Sequence, residues 1–388
     1  MNKGFFGKHG FWAYPFRSYF LLAAAVVPLA SLAWALAVAG AWPLHAAPLH
    51  FHAYAFLNGV GSAAFAGFLF TAIPEWTHDA RNLSRHAKAT LLLWLAAAGA
   101  ALVSLQFSAW LMLVFWLYLL WFVGTVSWQA RDSRQLSVVL MLLAVAALDA
   151  GFALSGDMLW LRQMAHVFII GILLITFRIG RAIGQKALQQ GGRQDCSFMP
   201  NPFYRNLSVC MLYGYVAAGL LLPQGAVQAW LSLAVGLAVI GRLRDWHYAV
   251  LLKQYYIRWY YLTLLAVGAG YVWQGAAVIA GDGNPLPAFH LIMIGGYLLM
   301  LMQVFGIAGA VHSSLPLHYP KSNRISQMLI AAAALSRSAA VAGGADYALF
   351  ALWLPGILLW LAFWLYIPVY WQIFTNHPPL AVKPARKR

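Results

Sequence analysis

The side chains in this sequence with the greatest capacity for chemistry are its histidines, which number twelve in 388 residues. His52, His166 and His290 each lie near the beginning of a long apolar stretch, and Asp149 lies near the end of another. Imidazole is an axial ligand of haem iron and a good ligand of copper. Three imidazoles from three helices at one depth therefore predict a haem or copper site, with Asp149 at a similar level.

The apolar stretches that would position these residues are predicted to be transmembrane helices. Hydrophobic residues make up 63% of the chain and charged residues only 9%, whereas soluble domains have roughly 25% charged residues. A membrane-spanning helix needs about 20 mostly apolar residues. The sequence therefore predicts an all-α, polytopic integral membrane protein in contact with the lipid bilayer. About twelve transmembrane helices are predicted, at 18–40, 50–73, 89–106, 108–127, 136–154, 160–180, 207–222, 226–241, 259–280, 287–310, 325–342 and 347–371.

The distribution of basic residues supports this number of spans, because Lys and Arg concentrate in the cytoplasmic connectors of membrane proteins. With twelve spans, 23 of the 25 Lys and Arg residues fall on one side, and only Arg162 and Arg337 fall on the other. Both termini are therefore predicted to be cytoplasmic. In this topology His52, His166 and His290 lie within about one or two helical turns of the outer surface.

The longest connector, 181–206, divides the predicted spans into two groups of six. It separates an N-terminal six-helix half, 1–180, from a C-terminal six-helix half, 207–371, and residues 372–388 form a basic cytoplasmic tail. The net charge of +16 comes from basic residues in such connectors, so nucleic acid is not an expected partner. The two cysteines are not spaced as a metal knuckle or a redox pair.

Each of these features also has a second interpretation. A histidine at a helix end is often an interfacial residue in contact with water, and Asp149 could pair with a neighbouring hydroxyl, an indole or His166. Gly59 and Gly295, on the helices of two of the histidines, would let either a flat macrocycle or another helix approach. A twelve-span transporter would use Asp149 and the histidines as a proton relay. A membrane scaffold without a cofactor would use them for packing alone.

Several stretches of the sequence resemble the NnrS family of polytopic bacterial membrane proteins. The most specific is His52-Ala-Tyr-Ala-Phe-Leu57 followed by Ala66-Gly-Phe-Leu-Phe-Thr-Ala-Ile-Pro-Glu-Trp-Thr77. It is similar to the family's His-Ala-His-Glu-Met-Leu and Ala-Gly-Phe-Leu-Leu-Thr-Ala-Val-Pro-Asn-Trp-Thr block. Tyr54 stands where the family has its second histidine, and Ala55 stands where it has glutamate. The other similar stretches are Pro15–Ala24, Ile175–Arg181 and His290–Gly309 with His312.

Members of this family are described as haem- and copper-containing and are tied to nitric-oxide stress. The resemblance implies a b-type haem, and copper, in a bacterial inner-membrane protein of nitric-oxide response or membrane redox metabolism. It implies His52, His290 and His312 as metal-site positions, whereas His166 is a candidate axial ligand on the depth argument alone. A membrane electron donor is the partner that such chemistry needs. Whether the protein is an enzyme stays open, and no hydrolase motif is present.

Overall fold

The computed structural model describes residues 14–42, 46–222, 225–281, 283–317 and 320–376, and every regular element within these ranges is a helix. The predicted all-α fold is therefore confirmed. The long helices, numbered here in chain order, are α1 (Pro15–Val38), α2 (Pro48–Thr77), α3 (Ser84–Ala101), α4 (Leu105–Gln129), α5 (Leu136–Ser155), α6 (Met158–Gln190), α7 (Pro202–Leu221), α8 (Ala226–Arg242), α9 (Tyr255–Ile279), α10 (Leu286–His312), α11 (Lys321–Leu335) and α12 (Ala348–Asn376). Shorter helical turns are Ser133–Gln135, Leu243–Asp245 and Ala249–Leu252.

Each of the twelve predicted spans overlaps one of these helices. Among the described residues, nine helices are long and apolar enough to cross a membrane, as expected for a polytopic membrane protein. The other three, α3, α7 and α11, are shorter or carry basic residues in their first turns, such as Arg85, Arg205 and Arg324. The count of twelve crossings and the cytoplasmic side of the termini stay predictions.

Local sequence signals explain where several helices begin and end. The hydroxyl of Ser104 accepts a hydrogen bond from the Phe107 amide at 3.3 Å, which caps the start of α4. The side chain of Asn201 accepts one from the Phe203 amide at 2.9 Å and caps α7. These side chains satisfy amides that have no partner within the helix. At the end of α5, Gly156 adopts a left-handed φ of 70°, which glycine tolerates without steric cost.

Four stretches within or next to the long helices have π-helical geometry. They are Ala55–Gly61 in α2, Leu291–Leu298 in α10, Ser336–Ala340 directly after α11 and Ala348–Trp353 at the start of α12. A π-helical stretch is rare and is frequently found at functional sites. Two of the four follow closely after predicted site histidines.

The chain divides into two compact units, which are described separately. The first unit consists of Met1–Met164, Phe305–Ser326 and Leu359–Arg388, and the second consists of Ala165–Val304 and Gln327–Leu358. The predicted division into two consecutive six-helix halves follows the order of the chain, and it stays a prediction.

The first unit is held together by close packing of α1 on α2 and α3. A Cβ atom on Gly67 of α2 would lie only 2.7 Å from Cβ of Tyr19 on α1. The Tyr19 hydroxyl bonds to the Thr90 hydroxyl of α3 at 2.6 Å. Phe20 of α1 stacks on Phe305, with the ring centroids 4.3 Å apart. Small residues and a buried hydroxyl pair thus bring the helices of this unit together, as they commonly do in membranes.

In the second unit, glycines allow α8 and α9 to approach each other closely. A Cβ atom on Gly236 would lie 2.6 Å from the carbonyl oxygen of Gly268, and one on Gly275 would lie 2.6 Å from the carbonyl oxygen of Ala229. Because real Cβ atoms do not come so close to other atoms, both positions require glycine. The α8–α9 pair therefore forms a tightly packed element that supports the neighbouring α10.

Two connectors that are predicted to be cytoplasmic contain ion pairs within one turn. Arg81 lies 2.6 Å from Asp79, after α2, and Arg134 lies 2.7 Å from Asp132, after α4. The hydrogen bonds from Arg134 lower the pKa of Asp132 to about 2, and those from Arg81 lower the pKa of Asp79. Both pairs bridge residues two apart, so they stabilise the turn locally.

Candidate functional site

The imidazole of His290 is oriented by the backbone of its own helix. Its Nδ1 atom lies 2.9 Å from the carbonyl oxygen of Leu286. Because a carbonyl oxygen can only accept, the neutral ring carries its proton on Nδ1 and its lone pair on Nε2. Metal-binding histidines commonly have this arrangement, in which one nitrogen donates to a carbonyl and the other binds the metal. The ring is partly exposed, and the π-helical stretch Leu291–Leu298 follows it directly.

His166, on α6, lies in the same unit as His290 and is 1% exposed. Its Nδ1 atom is 2.7 Å from the hydroxyl oxygen of Tyr271. The Tyr215 ring meets the imidazole edge-on, with the centroids 4.6 Å apart. Phe289 contacts both histidines, with centroid distances of 5.6 Å to His166 and 5.9 Å to His290. The structure therefore brings these two histidines to the same aromatic ring.

His52 lies in the first unit, on α2. Its ring contacts Trp34, with the centroids 4.7 Å apart, and Phe56, with the centroids 5.1 Å apart. It is partly exposed, and the π-helical stretch Ala55–Gly61 begins three residues later. His52 and His290 thus share a local setting, because each stands just before a π-helical stretch in a long apolar helix.

Asp149 is fully buried in the first unit and belongs to a polar cluster built by four helices. The Asn58 side-chain amide donates to Asp149 Oδ1 at 2.6 Å, and Trp116 Nε1 donates to Asn58 Oδ1 at 3.0 Å. The Ser62 hydroxyl bonds to the carbonyl of Asn58, and Trp94 Nε1 donates to that hydroxyl at 2.9 Å. The other carboxylate oxygen, Oδ2, is buried and has no hydrogen-bond partner. A carboxyl group is therefore present deep in an apolar bundle with one oxygen unsatisfied.

The hydroxyl of Tyr54 on α2 bonds within the first unit. It lies 2.8 Å from the hydroxyl of Ser108, which in turn donates to the carbonyl of Ala97 at 2.7 Å. The side chain is 4% exposed. This hydroxyl joins α2 to α3 and α4, so Tyr54 has a packing role where a histidine would offer a ring nitrogen.

His312, at the end of α10, lies in the first unit close to α1 and α2. Its Nδ1 is 3.3 Å from a carboxylate oxygen of Glu75, and its ring centroid is 5.1 Å from that of Phe16. The neighbouring Arg17 is buried, and its guanidinium donates to the carbonyl of Phe374 at 2.9 Å. His312 and Glu75 together present one nitrogen and two oxygens as potential ligands.

The glycines near the site histidines serve helix packing. A Cβ atom on Gly59 would lie 3.1 Å from Val26, and one on Gly295 would lie 3.2 Å from Ala266 and 3.3 Å from Ala334. The sequence left open whether these glycines make room for a flat macrocycle or for another helix. At these two positions, the neighbouring atoms belong to other helices, apart from the side chain of Leu291 in α10 itself.

Sequence reasoning identified the histidines and Asp149 by their charge in apolar surroundings, but it did not identify Asn58, Trp116 or Glu75 as partners. Asn58 could have been found, because it is a lone amide four residues after Tyr54 in an apolar run.

Within the described ranges, no three His, Cys, Asp or Glu side chains lie close enough to hold one metal ion. His45, interpreted as an interfacial residue, lies outside the described residues.

Comparison with known proteins agrees with the sequence motifs. No curated protein matches the chain. The profile of the family described as NnrS protein matches residues 10–377, nearly the whole chain. The matched region contains every described candidate: His52, Tyr54, Asp149, His166, His290 and His312. The chain therefore belongs to the NnrS family.

Proposed function

We propose that this protein is a haem-binding membrane protein that acts in nitric-oxide response or membrane redox metabolism. The single observation that carries the proposal is the hydrogen bond from His290 Nδ1 to the Leu286 carbonyl. It leaves Nε2 as the nitrogen with the lone pair, which is what an axial haem ligand needs. Membership of the NnrS family supports haem as the group that this nitrogen binds.

In the second unit, His290 and His166 are the residues that would hold a haem, and His52 of the first unit is proposed as a separate candidate haem ligand. His166 is in the same unit as His290 and contacts the same phenylalanine ring. His52 has the same position relative to a π-helical stretch. When bound, a haem with both axial positions filled supplies electron transfer, and one with a vacant position binds small diatomic ligands. A membrane electron donor would be its partner.

Copper is the second metal that we propose, at His312 and Glu75. Copper(II) accepts imidazole nitrogen and carboxylate oxygen, and these two side chains lie 3.3 Å apart at their closest atoms. Tyr54 is excluded from the proposed ligand set because its hydroxyl is buried and bonded to Ser108. Metal analysis of the purified protein and of His312→Ala tests this part, and equal copper content in the two would contradict it.

The proposed setting is the bacterial inner membrane, with twelve spans and both termini in the cytoplasm. It places the partly exposed rings of His52 and His290 near the outer surface, since each lies in the first turns of a span that enters from outside. A ligand at this depth is within reach of small solutes from the outer side.

A visible absorption spectrum of the purified protein tests the haem proposal. We expect a Soret band that is lost or shifted in His290→Ala and in His52→Ala, while both variants still insert into the membrane. His247→Ala is the matched control, because this exposed histidine bonds to the Tyr261 hydroxyl in the second unit and should leave the band unchanged. A colourless parent protein would overturn the proposal and favour a transporter or a scaffold.

A further inference from the structure

The polar cluster around Asp149 has a hydrogen-bond direction that can be assigned without ambiguity. The indole Nε1 of Trp116 can only donate, so the oxygen of the Asn58 amide must be the atom that faces it. The NH2 group of Asn58 therefore faces Asp149 and donates to Oδ1. Oδ1 is thus an acceptor, and any proton on the carboxyl group must be on Oδ2.

Among the residues that the structure describes, no ion pair involves Asp149. The side chain is 0% exposed and lies in the apolar helix α5. An isolated carboxylate in such a place is very costly unless a cation pairs with it. The groups in contact with it in the described part of the first unit are neutral: Asn58 of α2 and, through Asn58, Trp116 of α4 and Ser62 of α2.

The titratable group that faces Asp149 from a neighbouring helix is the Tyr54 hydroxyl of α2, which bonds to Ser108. Trp116 of α4 is connected to Asp149 through Asn58, and Trp94 of α3 donates to Ser62; both indoles are uncharged. On its own helix no charged residue is present, and the next carboxylate along the chain, Asp157, is exposed beyond its end. No cation among these neighbours offsets the charge of a carboxylate.

We propose that Asp149 is a buried proton-binding site: a neutral carboxylic acid that carries an exchangeable proton on Oδ2. The two carboxyl oxygens have separate roles. Oδ1 is held by Asn58, and Oδ2–H, which has no acceptor among the described residues, is the end at which exchange takes place. On release, the Oδ2–H bond breaks, the proton moves to the oxygen of a water molecule, and the carboxylate keeps the electron pair. Uptake is the reverse, so atoms and charge balance without a further reactant.

The position of Asn58 along α2 locates the proposed proton-binding site relative to His52. Asn58 is six residues after His52 on α2, nearer the middle of this helix. The proton site therefore lies deeper in the membrane than His52, in the same unit. Proton binding at Asp149 does not require haem, because Asp149, Asn58 and Trp116 alone form the hydrogen-bonded chain.

Infrared spectroscopy of the full-length protein in detergent tests the proposal directly. A neutral carboxyl absorbs above the amide band, in a region where the ionised form does not absorb. With only nine Asp and Glu residues in the chain, single substitutions can assign such a band. We expect a neutral-carboxyl band at pH 7 that shifts to lower frequency in D2O and is lost in Asp149→Asn. Asn58→Leu should keep the band but move it to higher frequency, because the carbonyl oxygen loses its donor.

Asp157→Asn is the control, since its exposed carboxylate should contribute nothing to this band. A spectrum of Asp149→Asn that overlays that of the parent would overturn the proposal. A band that is present but does not shift in D2O would also overturn it, because the acid would then be structural and would not exchange. Labelling the aspartate carboxyl carbons with 13C in the parent keeps the measurement decisive if either cluster variant fails to fold.

Discussion

At the scale of single residues, two indole groups determine the polarity of the buried cluster in the first unit. Trp116 donates to Asn58, and Trp94 donates to Ser62. Because an indole N–H cannot accept, each fixes which atom of its partner must face it. The orientation of Asn58 towards Asp149 then follows from Trp116 alone. Trp116 thus contributes through the hydrogen bond of its indole N–H group as well as through the packing of its ring.

Replacing Trp116 by Phe tests this role. Phe retains most of the buried ring but leaves the Asn58 oxygen without its donor, and an unsatisfied buried acceptor costs about 1–3 kcal/mol. We therefore expect a lower unfolding free energy, measured by thermal or denaturant unfolding in detergent. Trp128→Phe is the matched control, because Trp128 is 85% exposed and exposed substitutions usually change stability by less than about 0.5 kcal/mol. Equal stabilities of the two variants would contradict the assignment.

Replacing His166 by Met tests whether this residue binds the haem. If His166 is an axial ligand, the thioether keeps the haem but raises its reduction potential, because methionine ligation favours the reduced iron. We expect this upward shift in a redox titration. Tyr271→Phe removes the hydroxyl that lies 2.7 Å from Nδ1 and should leave the ligand in place. A His166→Met titration curve that overlays that of the parent would remove His166 from the ligand set.

The candidate residues were only partly predictable from the sequence. Asp149 and the histidines stand out because ionisable groups are rare in apolar runs. Glu75 and Asn58 stand in similar runs, but their importance comes from partners 237 and 91 residues away, in His312 and Asp149. Such pairings depend on how helices are arranged and leave no local pattern. The haem ligands themselves stay predictions.

At the scale of elements, the helices were predictable but their internal geometry was not. Long apolar runs predict helices because the bilayer requires the backbone to satisfy its own hydrogen bonds. A π-helical stretch also satisfies them, with one more residue per turn, so it leaves the apolar character of the run unchanged. Ala55–Gly61 and Leu291–Leu298 therefore could not be found from the sequence.

Close packing of α8 on α9 makes a prediction at this scale. In Gly236→Ala, the new methyl group would lie 2.6 Å from the Gly268 carbonyl oxygen, and such overpacking costs about 1–3 kcal/mol. Gly124→Ala in α4 is the control, because its new methyl group would meet nothing within 4 Å and alanine favours a helix by roughly 0.5–1 kcal/mol. We expect thermal unfolding in detergent to show opposite shifts. A stable Gly236→Ala variant would mean that the two helices can separate at no cost.

At the scale of the whole molecule, the distribution of charge carries more information than any motif. With twelve spans, 23 of the 25 Lys and Arg residues lie on one side of the membrane, and this bias predicts the orientation of every span. The grouping of the helices into two compact units, in contrast, does not follow from the charge distribution. Each compact unit is assembled from segments that are far apart in the chain, and such grouping depends on shape complementarity that composition does not encode.

Reporter fusions test the orientation of the whole chain. Fusions after Trp42, Gly281 and Gly344 should behave as extracytoplasmic, and fusions after His86 and Arg193 as cytoplasmic, because each point follows a set number of spans from a cytoplasmic N-terminus.

The three helices that are shorter or more charged, α3, α7 and α11, are the critical ones. If α3 alone did not cross, every later point would reverse, and the Arg193, Gly281 and Gly344 fusions would all report the opposite side. If neither α7 nor α11 crossed, Gly344 would keep its side while Gly281 reversed, so the pattern of the five fusions identifies which helix fails. One clear inversion among them would contradict the twelve-span topology, and with it the placement of His52 and His290 near the outer surface.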